Sequence, residues 1–381
     1  MSVAAAVSTV PDRVPITVFD DARVRVVLML DVRDGTQAEV LEAYERMCKR
    51  VAAVPGHISD QLCQSLENPT QWLITSEWES APEFLAWANS EEHLEMVRPL
   101  EPYVRGTHSM RYSVLRETAG ADAGERAAAR GALQPRPRIG DNLVRHAVTW
   151  TVKPASVGRV AEILSGYTSP EVRVDDTTRL LRTSLFMHGN RVVRAIEVRG
   201  DLQAALRHVA RQPEVRAVEE ALNPHLEQDR DLTDPRSARL FFTLAALPAV
   251  HHVMSGRETG RDIERCALHY PARPGAGAAL ARLLARQGEA AVGDPDNPVV
   301  ACTLFHRDDL VVRLVDTVAA PDTAPGAVLA LSDPDARAEA GRLLDAAALG
   351  VDGPLTDDRA AARLLAQARM RPLTDRRAPV A

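Results

Sequence analysis

The sequence predicts an α+β protein built from ferredoxin-like modules, and an internal repeat is the first reason. Residues 145–154 (RHAVTWTVKP) return as residues 265–274 (RCALHYPARP). Residues 183–198 (TSLFMHGNRVVRAIEV) return as residues 302–317 (CTLFHRDDLVVRLVDT), in the same order and at nearly the same offset. The spacing is too long for a solenoid, whose repeats run to about 20–50 residues. It therefore predicts a duplicated domain.

The second reason is the order of the elements, which is β-α-β-β-α-β in each module. In the first module, Thr36 with Glu39 makes a capping-box pattern at the start of a helix, and Ser80 with Glu83 repeats it. The predicted elements of this module are a strand at 24–32, a helix ending before Pro55, strands at 57–66 and 71–79, a helix at 83–97 broken at 89–90, and a strand at 108–115.

The second module follows the same order around a tight hairpin at Gly189 and Asn190. Its predicted elements are a strand at 145–152, a helix at 157–165, strands at 179–187 and 191–198, a helix at 202–223 broken at Pro213, and a closing strand at 238–247. The third module repeats these elements through its second helix, whereas residues 360–371 fit a helix as well as a strand. The repeats also align Arg194 with Arg313 and Glu197 with Asp316, which predicts a structural ion pair in each copy.

These patterns divide the chain into domains. We predict modules at residues 22–117, 143–254 and 263–381, with a linker at 118–142 that is rich in small and charged residues. Modules two and three are expected to pair sheet to sheet within one chain, in the manner of a dimeric α/β barrel.

The composition is typical of a soluble globular protein, with 381 residues, 45% hydrophobic and 26% charged. No apolar run approaches the roughly 20 residues that span a bilayer, and the chain starts without the basic segment of a signal peptide. A net charge of −6 without a basic stripe argues against a nucleic-acid partner. The four cysteines lie apart, without metal-ligand spacing. We therefore expect a cytoplasmic protein with no membrane anchor and no metal site.

Module one resembles the antibiotic biosynthesis monooxygenase family. The matching segments are VVLMLDV before a helix, VPGHISDQL and WLITSEWES as strands, and FLAWANSEEHLEMV as a helix. Residues 143–381 are similar to the SchA/CurD-like family through the doubled TSLF…VVR block. That family is found with aromatic polyketide and spore-pigment biosynthesis. The two resemblances together imply a role in the tailoring of aromatic polyketides.

The strand predicted at 71–79 carries the candidate site. Side chains alternate along a strand, so one face holds two tryptophans, in a chain with only 4% aromatic residues. Such a face suits a flat polycyclic ligand, or else the core of a dimer, and we expect the helices to leave it open. The residues on this face are Trp72, Ile74, Ser76 and Trp78.

The resemblance implies catalytic roles for Asn68 and Trp72. Family members that oxidise anthrones have an Asn four residues before a Trp, and these two residues stand at that spacing. Alternatively, Asn68 is only a turn residue before Pro69. A Tyr of the family is replaced by Trp78, which keeps an N–H donor but cannot ionise.

Two further residues complete the predicted substrate site. His93 is either a general base or a solvated helical residue beside Glu91 and Glu92. On the closing strand, Arg111 or its neighbour Tyr112 must face the cavity side, and we assign Arg111 to substrate binding.

The implied activity is a cofactor-independent monooxygenase that oxidises a polycyclic phenol or anthrone to a quinone. Such substrates form stabilised carbanions that react directly with O₂, so we expect O₂ as co-substrate and no flavin, haem or metal. Asn68 and Trp72 would donate hydrogen bonds to the developing oxyanion. The alternatives are a non-oxidative polyketide cyclase and a non-catalytic assembly partner of other polyketide enzymes. A homodimer is expected through module one, because no fourth module covers its sheet.

Overall fold

The chain divides into two units that pack within themselves. The structure is a computed structural model that describes residues 16–17, 22–65, 70–114, 143–166, 170–255, 263–351 and 353–378. One unit comprises Thr17–Arg138, and the other comprises Ile139–Ala381 together with Met1–Ile16. Within the described ranges, every helix is too short or too polar to cross a membrane.

The first unit is an antiparallel sheet with helices packed on one face, which confirms the predicted ferredoxin-like order. Its elements are β1 (Val24–Val32), α1 (Gln37–Val51), β2 (His57–Gln64), β3 (Gln71–Trp78), α2 (Ala81–Ala88), α3 (Glu91–Val97) and β4 (Val104–Ser113). The strands lie in the order β2-β3-β1-β4, so β2 and β4 are the edges. Burial alternates along β1 because only one face of the sheet packs on helices.

The helix starts differ from the predicted capping boxes. Thr36 does not cap α1, since its backbone is not extended and its hydroxyl donates to the Arg33 carbonyl at 2.8 Å. Ser80 makes no capping hydrogen bond to α2 either. Ser90 does cap α3, because its hydroxyl accepts from the His93 N–H at 3.1 Å. The predicted break at residues 89–90 is therefore confirmed as the junction of α2 and α3.

The second unit is a larger antiparallel sheet. Its strands are β5 (Leu143–Thr151), β6 (Arg179–His188), β7 (Arg191–Arg199), β8 (Ala246–Met254), β9 (Glu264–Pro271), β10 (Val299–Arg307), β11 (Leu310–Thr317) and β12 (Arg371–Arg377). Its α-helices are α4 (Val157–Gly166), α5 (Leu202–Arg211), α6 (Pro213–Leu222), α7 (Pro235–Ala245), α8 (Gly277–Gly293), α9 (Pro325–Leu329), α10 (Pro334–Leu343) and α11 (Asp358–Ala368).

The path of this sheet interleaves strands from the two sequence repeats. It runs β9-β11-β10-β8-β5-β7-β6-β12. β8 pairs with β10 and β12 pairs with β6, so each repeat adds its last strand to the second strand of the other. The ends of the path also meet, because the Met370 N–H donates to the Ala267 carbonyl at 2.9 Å. Apolar residues of both repeats, including Phe186 and Phe305, form one shared core.

The closing strand predicted at residues 238–247 is wrong for most of its length. Asp234 caps α7 by accepting from two backbone N–H groups, and Pro235 follows at the first helical position. Phe241 and Ala245, one helical turn apart, are both buried. The apolar residues of this segment therefore follow a helical period, and the strand begins only after them.

The ion pair predicted within each repeat is also wrong. Arg194 binds Glu219 of α6 at 2.7 Å, because residues three apart on a strand point to opposite faces and Glu197 is out of its reach. Arg265 instead contacts both Glu197 and Asp316, each at 2.7 Å. A single arginine thus joins the acids of the two repeats.

Candidate active site of the first unit

The helices cover the tryptophan face of β3, which reverses the predicted arrangement. Trp72, Ile74 and Trp78 belong to the core formed with α1, α2 and α3, and Trp78 has no exposed surface. The prediction that this face is open is therefore wrong. Alternation defines two faces but does not say which one lies under helices. The helices take the more apolar face, since the other one carries Glu77.

Ser76 lies on the same face and places a polar group in this core. The Trp78 indole N–H donates to Ser76 Oγ at 3.0 Å. Because Ser76 is the acceptor in that bond, its own hydroxyl hydrogen is available to a second partner. Val26 pairs with Ser76 on one side and with Arg111 on the other, so both polar residues lie in one row across the sheet.

An aromatic cluster connects β3 to α2 and α3. The Trp78 ring stacks on Trp87 with centroids 5.0 Å apart, and it meets Phe84 edge-on at 5.5 Å. Trp87 in turn lies 4.3 Å from the His93 ring. The structure therefore brings together two predicted site residues, Trp78 and His93. Phe84 and Trp87 were missed, although their spacing of three on a helix places them on one face.

His93 is held in a form that can accept a proton. Its Nδ1 lies 2.9 Å from the Ala88 carbonyl, and a carbonyl only accepts, so Nδ1 carries the hydrogen and Nε2 carries the lone pair. Burial lowers the pKa of His93, and the Arg111 charge lowers it further, against the opposing effect of the Ala88 bond. The ring is therefore neutral at pH 7, as a general base requires.

Arg111 faces the helix-covered side of the sheet, whereas Tyr112 faces the opposite side. The guanidinium carbon of Arg111 lies 5.6 Å from the centre of the Phe84 ring. The residues of β4 on this side, Thr107, Ser109 and Arg111, are exposed, because the helices do not extend over this edge strand. They form a polar shelf beside the aromatic cluster, which we call the β4 shelf.

A second polar group lies on β2. The Tyr44 hydroxyl donates to Asp60, which pairs across the strands with Ser76. Burial raises the pKa of Tyr44, and the hydrogen bond and charge of Asp60 raise it further. Tyr44 and Asp60 come from different elements, so only the folded arrangement reveals this pair.

Asn68 lies outside the described residues, and its catalytic role stays a prediction. Trp72 is described and is buried beneath the helices. In the described part of the chain, no cluster of three or more His, Cys, Asp or Glu side chains has the geometry to hold a metal ion.

Comparison with known proteins confirms both predicted resemblances. Residues 23–99 match the antibiotic biosynthesis monooxygenase family, so the first unit is a domain of that class. Residues 143–255 match the SchA/CurD like domain. The chain is 85% identical over 379 residues to protein SchA of Streptomyces halstedii, and the alignment covers 100% of both chains. The chain therefore belongs to the SchA/CurD family.

Other relatives are also similar over nearly their whole length. A 42.8 kDa protein in the whiE locus of Streptomyces coelicolor is 64% identical, covering 98% of this chain and 92% of that protein. Polyketide synthase CurD of Streptomyces cyaneus is 59% identical, covering 94% and 96%. Among solved structures, SnoaB of Streptomyces nogalater, a cofactor-independent oxygenase, is 15% identical over 26% of this chain and 98% of its own, with a TM-score of 0.24.

Proposed function

We propose that the first unit is a cofactor-independent monooxygenase that oxidises a polycyclic phenol or anthrone to a quinone in aromatic polyketide tailoring. The observation that carries the proposal is a base and a cation beside one aromatic cluster. His93 lies against Trp87, and Arg111 lies over Phe84. A base removes the acidic proton of such a substrate, and a cation stabilises the resulting anion. The family assignment supports the pathway.

The reaction follows from these positions. With the substrate on the β4 shelf, His93 Nε2 takes the proton, while Arg111 and the Ser76 hydroxyl stabilise the oxyanion. The carbanion transfers an electron to O₂, and recombination gives a peroxide anion on the ring carbon. Protonated His93 returns its proton to the outer oxygen to give the hydroperoxide. Loss of water from this peroxide gives the quinone. The substrate loses two hydrogens and gains one oxygen, and the second oxygen atom leaves as water.

The resemblance adds Asn68 and Trp72 as hydrogen-bond donors to the oxyanion and the peroxide. Loss of one such donor costs about 10²–10³ in rate. Trp72→Phe keeps most of the apolar surface and removes only the N–H, so it isolates the hydrogen bond. We expect both Trp72→Phe and Asn68→Ala to fold and to lose about this factor in kcat. Parental rates in both purified variants would remove these two residues from the mechanism.

Incubation of the purified full-length protein with an anthrone, in air and without oxygen, tests the proposed function. Flavin and metal content are measured in the same sample. The proposal predicts quinone only in air, at a rate independent of flavin and metal content. A product of unchanged oxidation state would instead support a polyketide cyclase. The name of the relative CurD, a polyketide synthase, also suggests this alternative. Absence of any turnover would support an assembly partner.

We further propose the predicted division into modules at 22–117, 143–254 and 263–381, and a homodimer formed by the first module. In the second unit, the last strand of each repeat extends the second strand of the other. In the first unit the corresponding strands, β4 and β2, are both edges. The face opposite the helices carries Met29, which is 43% exposed, and Tyr112, which is 50% exposed. Pairing with a second copy would cover this face.

The oligomeric state of the full-length protein tests the dimer. We expect light scattering to give a dimer for the parent protein and a monomer for Met29→Glu. Leu41→Glu is the matched control, because Leu41 is equally exposed, at 45%, but lies on α1. A monomeric parent, or a Met29→Glu variant that remains dimeric, would contradict this pairing.

A further inference from the structure

A cavity in the second unit takes no part in the proposed oxidation. Its volume is about 210 Å³, and it lies where β5 ends beside α7. Two arginines from different repeats line it, Arg191 at the start of β7 and Arg307 at the end of β10. The aromatic residues Trp150 and Phe241 form part of the cavity wall, and Thr149 also lines it.

The strand pairing explains why a cavity forms at this place. β5 pairs with β8 only over His146, Ala147 and Val148. Beyond Val148, β5 continues to Thr151 and pairs with β7. It does not pair with β8 there, because the residues that precede β8 form the helix α7 and not a longer strand. The gap between the end of β5 and the end of β10 is the cavity.

The two arginines place positive charge in this gap, and the two acids near them, Asp308 and Glu227, are exposed. Arg191 donates to Thr149 Oγ1 at 3.3 Å, and Arg307 donates to the Ala246 carbonyl at 2.9 Å. The carboxylate of Asp308 lies 3.7 Å from Arg307, but it is 77% exposed and therefore well screened. Burial lowers the pKa of Arg191, and the Arg307 charge lowers it further, against the opposing charge of Glu227. Two guanidinium groups thus line one cavity, and no buried acid lines it with them among the described residues.

The equivalent place in the other half of the sheet is filled. There the repeat puts Leu310 in place of Arg191 and His188 in place of Arg307. Tyr270, the counterpart of Trp150, is buried, and its hydroxyl donates to a backbone carbonyl at 3.0 Å. His269, the counterpart of Thr149, packs against His188 with ring centroids 4.9 Å apart. The cavity lies in the half that contains the arginine pair.

We infer that this cavity binds a small aromatic carboxylate. Guanidinium groups match carboxylate oxygens in two-pronged hydrogen bonds. An apolar cavity of about 150 Å³ holds one benzene molecule, so the present volume suits a single ring with its carboxylate. It is too small to enclose the polycyclic substrate proposed for the first unit.

Binding of benzoate to the full-length protein, measured by calorimetry, tests the site. Benzamide has the same shape without the charge, and inorganic phosphate has the charge without the ring. We expect saturable benzoate binding, at least about tenfold weaker binding of benzamide, and no comparable binding of phosphate. Equal binding of benzamide, tighter binding of phosphate or no saturable benzoate binding would each overturn the inference. The readout is binding, so it does not depend on oxidation by the first unit.

Variants that copy the filled half of the sheet locate the ligand. Arg191→Leu and Arg307→His introduce the side chains that the other repeat carries, and each is expected to weaken benzoate binding about tenfold or more. Arg191→Lys keeps the charge without the two-pronged geometry and should fall between. Arg159→Leu is the control, because Arg159 is 65% exposed on α4. Parental affinity in both Arg191→Leu and Arg307→His would place the ligand elsewhere and overturn the inference.

Discussion

His93 and Arg111 illustrate, at the scale of single residues, how the fold prepares a base and a cation. The Ala88 carbonyl holds the proton of His93 on Nδ1, which leaves Nε2 free to accept another. Burial and the charge of Arg111 both keep the ring neutral. The same cation that stabilises an anion therefore also maintains the base in its working form.

The pH dependence of kcat/KM tests this coupling. Because the pKa of His93 is lowered from 6.5, the ring stays unprotonated until the pH falls below that value. We expect activity to be lost on the acidic side with a midpoint below 6.5. Arg111→Met should reduce the rate by about 10²–10³ and move this midpoint to higher pH, because a positive charge that opposes protonation is removed.

Arg46→Met is the control for the loss of one positive charge, since Arg46 is 61% exposed on α1. It should leave both the rate and the midpoint unchanged. His93→Gln should abolish the acidic limb. A midpoint at or above 6.5 in the parent protein, or one that Arg111→Met does not move, would contradict the role of His93 as the base.

At the scale of elements, one buried arginine ties strands of the two repeats together. Arg265 on β9 contacts Asp316 on β11 and Glu197 on β7, and its side chain is only 7% exposed. Arg182 on β6 binds Asp375 on β12 and also reaches Asp316 at 3.4 Å. The network therefore spans strands from both halves of the sheet. Its loss should lower the free energy of unfolding of the whole unit.

Removal of Arg265 tests this network. Breaking a buried ion pair by deleting one partner costs about 3–5 kcal/mol, because the remaining charge is left unpaired. We expect Arg265→Met to lower the free energy of unfolding of the second unit by about this amount in urea titration. Arg286→Met is the control, since Arg286 is 60% exposed and its loss should cost no more than about 1 kcal/mol. Equal stability of the two variants would show that the network contributes nothing.

The elements also show which features the sequence could predict. β1 and the break between α2 and α3 were predictable, because apolar periodicity and a serine cap are local signals. The start of β8 was not, because residues 238–247 combine two phenylalanines and one β-branched residue, Thr243, with a helical apolar period. The cap at Asp234 decides in favour of the helix. The covered face of β3 was also missed, since alternation is the same for either face.

At the scale of the whole molecule, the duplication is used asymmetrically. The two repeats exchange their last strands and close one sheet around a shared core. Near β5 this architecture leaves a cavity with two arginines, whereas the related place near β9 is filled by Tyr270 and His269. The matched sequence blocks predicted the duplication, but neither the exchange of strands nor this difference, which depends on single substitutions between the copies.

The site of the first unit was only partly predictable at this scale. Trp78 and Arg111 were named from their places on strands, and His93 from its place beside two glutamates. The fold brings all three around one aromatic cluster. Trp87 and Phe84, which hold that cluster together, come from α2 and become neighbours of β3 only through tertiary packing.

Oxidation of an anthrone under ¹⁸O₂ tests the central claim most directly. The mechanism places one atom of O₂ in the quinone and the other in water, so the product formed by the parent protein should carry one ¹⁸O and have lost two hydrogens. His93→Gln and Arg111→Met should form this labelled product at least about 10²-fold more slowly. A quinone whose new oxygen comes from water, or a product formed at the same rate without O₂, would contradict the account.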